Sequence, residues 1–61
     1  MNITASNIGA LVTLTEHHRD AETQRRKAQE ILEALDSIRG ISIVLRENYR
    51  ARLEKLLALA Q

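Results

Sequence analysis

Residues 15–30 read TEHHRDAETQRRKAQE, and the only apolar side chains among them are Ala21 and Ala28. IGALVTL (residues 8–14) precedes this polar stretch, and ILEAL (31–35) and ISIVL (41–45) follow it. The fold turns on whether the chain crosses it as one helix or doubles back inside it.

Helix is the expected state on either side. Pro is absent, Gly occurs twice, and Ala, Leu, Glu, Arg, Lys and Gln, the better helix formers, dominate. Leu11, Leu14, His18, Ala21, Arg25, Ala28, Leu32 and Leu35 step by three and four, the spacing of a coiled-coil seam. His18, Arg25 and the two alanines make the middle of that seam thin. Glu22 with Arg26 and Arg26 with Glu30 stand at i, i+4, which favours a solvated helix by a few tenths of a kcal/mol per pair. Thr4, between Ile3 and Ile8, has the pattern of an N-cap with a hydrophobic staple. Gly9 weakens the first turns or admits a close neighbour.

The strongest break is DSIRGIS, residues 36–42. Gly40 suits the left-handed residue that closes a helix, and Ser42 suits the cap of the next. Beyond it Leu45, Tyr49, Leu53, Leu56 and Ala60 line one face. Ile41, Ile43 and Leu45 also alternate, but a lone strand would have nothing to pair with.

These signals predict an all-α fold in one domain, residues 1–61: a helical hairpin with a long helix over about 4–38, a turn at Gly40 and a helix over about 42–60. At 1.5 Å per residue the first arm would be about 50 Å long and the second about 30 Å. Leu32, Leu35, Leu45, Tyr49 and Leu56 would hold the hairpin. Ile8, Leu11, Val12 and Leu14 would overhang, so the expected assembly is a homodimeric helical bundle in which each overhang packs on its mate. The alternative is a three-helix bundle broken near His18–Asp20, with Asp20 capping a helix that opens AET.

Composition narrows the function. The net charge is +1, from nine Lys/Arg and eight Asp/Glu. This gives no strong long-range pull toward nucleic acid or anionic membranes. There is no Cys, which excludes disulfides and thiolate metal sites. No apolar run approaches the roughly 20 residues of a membrane span, and the first fifteen residues lack Lys and Arg, so the expected compartment is the cytoplasm. Ser6, Ser37 and Ser42 stand next to no obvious base, no Gly-rich phosphate loop is present, and a short hairpin is not expected to hold a small-molecule pocket. His17-His18 lacks the companion spacing of a metal site, since adjacent helical residues point about 100° apart. Protonation of His18 at a shared seam would loosen it.

The expected function is therefore that of a non-enzymatic protein–protein interaction module of the inhibitor, adaptor or co-chaperone type, with no catalytic residue, cofactor or metal. Its partners would be itself and another protein, met through Ile8, Leu11, Leu14, His18, Ala21 and Arg25. The alternative is a dimeric nucleic-acid-binding regulator. In that reading Arg46 and Arg50, one turn apart on the second helix, contact phosphates. Interleaved acids and the lack of stacking aromatics count against it.

Overall fold

The computed structural model describes residues 2–59 and contains three helices: α1 (Ile8–Glu16), α2 (Ala21–Leu35) and α3 (Ile43–Leu59). Among the described residues there is no strand. The 4–38 helix expected from the sequence does not form. Its polar middle leaves the helix at residues 17–20, and the longest dimension of the molecule is 31 Å, too short for a 50 Å rod. The architecture is the three-helix bundle. Ala60, expected to end the last helix, lies outside the described residues.

Asp20 does the breaking. Its backbone is extended (φ −85°, ψ 116°), and its side chain accepts from the Thr23 backbone N–H at 2.9 Å. The Thr23 hydroxyl donates to the same carboxylate oxygen. Both contacts lower the Asp20 pKa, the side-chain hydrogen bond most. The energetic reward for the break is burial. With α1 folded back, Ile8 and Val12 are 1% and 0% exposed and join Ala28, Ile31, Leu35, Ile38, Leu53 and Leu56 in one core. Burying each large aliphatic side chain is worth roughly 1.5–3 kcal/mol. An unbroken rod would leave Ile8 and Val12 wet, and packing of this size outweighs local helix propensity.

The break also resets the helical phase. The α1 core face is Ile8, Val12 and Thr15, and the α2 core face is Ala28, Ile31 and Leu35. Thr15 is tolerated inside because its hydroxyl donates to the Leu11 carbonyl at 2.7 Å. Of the expected seam, only Ala28 and Leu35 are buried. Leu45, expected to hold the hairpin, is exposed, while Leu53, two turns further along the same helix, is fully buried.

The N-terminal cap is displaced too. Thr4 opens a turn instead of capping: its carbonyl accepts from Asn7 and Ile8 N–H at 3.2 and 2.9 Å. Asn7, now the cap position, bonds back to Thr4 N–H and the Asn2 carbonyl. Gly40 has the left-handed backbone expected of it, at φ +89°, but α2 ends at Leu35 with Asp36 at its C-cap, so Gly40 turns the connection and does not close the helix. Ser42 accepts from the Leu45 N–H at 3.1 Å. Gly9 has the close neighbour that its lack of a side chain admits: a Cβ there would lie 3.0 Å from the Tyr49 hydroxyl.

Candidate interaction groove

Folding α1 back creates a valley that the hairpin would lack. Leu11, Leu14 and Thr15 share one side of α1, being three and four residues apart, and Lys27, Glu30 and Ile31 share one side of α2 for the same reason. His17, His18 and Arg19 close the end through the connecting turn. Together they line a groove of about 600 Å³. The sequence led us to expect no such volume, because the hairpin had no third wall.

The groove is apolar below and charged above. Leu11 and Ile31 form its inner part, partly and fully buried respectively. Leu14 stands beside them with 67% of its surface exposed. The Thr15 hydroxyl is already bonded to its own helix. His17 Nδ1 lies 2.9 Å from the Thr13 carbonyl. His18 Nδ1 accepts from the Asp20 N–H at 3.3 Å, so the ring braces the turn.

Of the six residues expected at an interface, Leu11, Leu14 and His18 come together here. Ile8 is absorbed into the core, and Ala21 and Arg25 sit on the exposed surface of α2 outside the groove lining. Lys27, Glu30 and Ile31 were missed. Their signal was the Ala28–Ile31–Leu35 stepping, which competes with Ala28–Leu32–Leu35 and is correct once the phase is reset.

The arginines of α3 have internal work. Arg46 donates to the Leu35 carbonyl and, at 2.9 Å, to the Ile38 carbonyl, closing the C-terminal end of α2. Arg50 bonds Asp36 and, at 3.2 Å, Glu47. Both bonds hold its pKa above the ordinary arginine value, the Asp36 contact most. Arg52 grips Glu16 across helices through both carboxylate oxygens, one at 2.9 Å. The same hydrogen bond lowers the Glu16 pKa against the opposing effect of burial, and raises that of Arg52. Arg52 also lies 5.8 Å from the centre of the Tyr49 ring, within cation–π range.

Among the described residues, no group of three or more His, Cys, Asp or Glu converges as metal ligands would. No helix among them is long and apolar enough to cross a membrane. No protein-family model matches this chain, and neither a curated protein nor a solved structure matches it.

Proposed function

We propose that this chain is a small non-enzymatic interaction module of the cytoplasm, which holds a protein partner, a second copy or another chain, in the groove between α1 and α2. The observation that carries the reading is Leu14: a large aliphatic side chain, two-thirds exposed, on the lip of an apolar groove of about 600 Å³. Exposed apolar surface beside a concavity is the usual mark of a site that another molecule covers. Three of the polar side chains that line the groove are tied to backbone groups, Thr15 to the Leu11 carbonyl, His17 to the Thr13 carbonyl and His18 to the Asp20 N–H, which leaves its inner part to Leu11 and Ile31. The homodimer expected from the sequence would use this same surface, reduced to Leu11, Leu14 and their neighbours now that Ile8 and Val12 are inside. Engagement of Arg46 by the Leu35 and Ile38 carbonyls and of Arg50 by Asp36 and Glu47 weighs against the nucleic-acid reading.

A photo-crosslinking side chain placed at Leu14, with Val44 as an exposed control position, tests this in living cells of the source organism. The expected product is a protein adduct from position 14 that disappears when Leu11 is changed to Asp. Adducts from position 44 alone would overturn the groove. Nuclease-sensitive adducts would favour the nucleic-acid reading instead.

A further inference from the structure

The groove has a charged border. Two permanently cationic side chains, Arg19 and Lys27, border it, together with His17 and His18, against the single carboxylate of Glu30. Lys27 is only partly exposed, as expected where a lysine stem packs on apolar neighbours and its ammonium stays in water. Leu11 and Leu14 stand one helical turn apart on the α1 wall, with Ile31 buried on the α2 wall, so the apolar strip that faces an incoming helix is the α1 one, at the i, i+3 spacing of helix anchors.

We infer that the partner is another protein's amphipathic helix whose apolar stripe is bordered by Asp or Glu. This rests on the groove reading above and adds the chemistry of the occupant. A second copy fits less well. Groove against groove would bring together two borders that each carry two cations against one carboxylate, and like net charge across an interface disfavours that pairing. A second exposed apolar patch, Ile43, Val44 and Leu45, at 78%, 79% and 45% exposure, is flanked by Arg46 and Glu47, one charge of each sign, and so does not supply the acidic border either.

The test is selection from a displayed library of short helical peptides. These carry leucines at i, i+4 and i+7, with Glu, Gln or Lys varied at the bordering positions. Selection runs against the intact protein and against Leu14→Asp, and recovered peptides are measured by fluorescence anisotropy. Glu-bordered peptides should be enriched. Their affinity should fall about tenfold or more in Lys27→Glu with Arg19→Glu, a variant whose helical circular dichroism should match the parent's and which should now prefer Lys-bordered peptides. Enrichment of Gln- or Lys-bordered peptides that fail on Leu14→Asp would keep the groove and overturn its acidic occupant. No enrichment over Leu14→Asp would overturn both. So would a sedimentation dimer untouched by Leu14→Asp accompanied by no peptide binding; a dimer that Leu14→Asp dissociates would seat a second copy in the groove and overturn the acidic helix alone.

Discussion

The two turns of this bundle are built to one plan from unlike residues. In each, a polar cap opens the next helix: Asp20 for α2 and Ser42 for α3. In each, the side chain four residues after that cap reaches back to close the helix just ended. Gln24 donates to the Thr15 and Glu16 carbonyls at 3.0 and 3.2 Å, as Arg46 does to those of Leu35 and Ile38. The orphan carbonyls at a helix end need such donors. The turns differ in strength. The second has a charged donor at the negative end of the helix dipole and a glycine in the left-handed region. The first has a neutral amide and, among residues 17–20, no glycine.

This difference can be broken open by substitution, beginning with the second turn. Arg46→Met keeps the stem and removes the charged donor, so urea unfolding should show a loss of about 2 kcal/mol, the usual worth of a hydrogen bond to a charged group. Gly40→Ala should cost about 1–2 kcal/mol in the same assay, from the left-handed backbone alone. Space is not the limit there, since the added Cβ would meet Ala5 at an ordinary 3.5 Å. Gln24→Met should cost less, about 1 kcal/mol, as befits a neutral donor. A Gln24 variant as damaging as the Arg46 one would erase the contrast between the turns.

The smallest effect concerns acid. The Glu16 carboxylate is lowered below its ordinary value of 4.5, chiefly by Arg52. Its contribution is fully present above that value and is lost as pH falls through the lowered folded value. With the two side chains still 27% and 34% exposed, solvent screens the pair and the loss is modest. Thermal melts of the parent should therefore drop more between neutral and strongly acidic pH than those of Arg52→Gln. Parallel curves would show that the pair does not couple α1 to α3.

The second turn was legible because its signals are chemical: Gly40 where φ is positive, Ser42 where a cap is needed. The first, at His18–Asp20, was read only as the alternative, because an accident of spacing favoured the unbroken rod. The three-and-four stepping from Leu11 to Leu35 runs unbroken through His18, Ala21 and Arg25, although residues 17–20 are not helical and the count cannot carry one face across them. Asp20 was the available sign, and a lone Asp competes weakly with a smooth period. What decided the matter was the cost of leaving Ile8 and Val12 uncovered, a property of the whole chain and not of any window. The candidate site inherited the error: Leu11, Leu14 and His18 survived because they flank the turn, while Ile31 became visible only with the new phase.

The reach-back contacts of Gln24 and Arg46 join residues only eight to eleven positions apart, whereas the Glu16–Arg52 grip spans thirty-six. Both bends can thus be secured while the chain is still searching, leaving the docking of α1 on α3 as the principal distant closure. Such a topology places the molecule among fast folders, on the microsecond-to-millisecond scale.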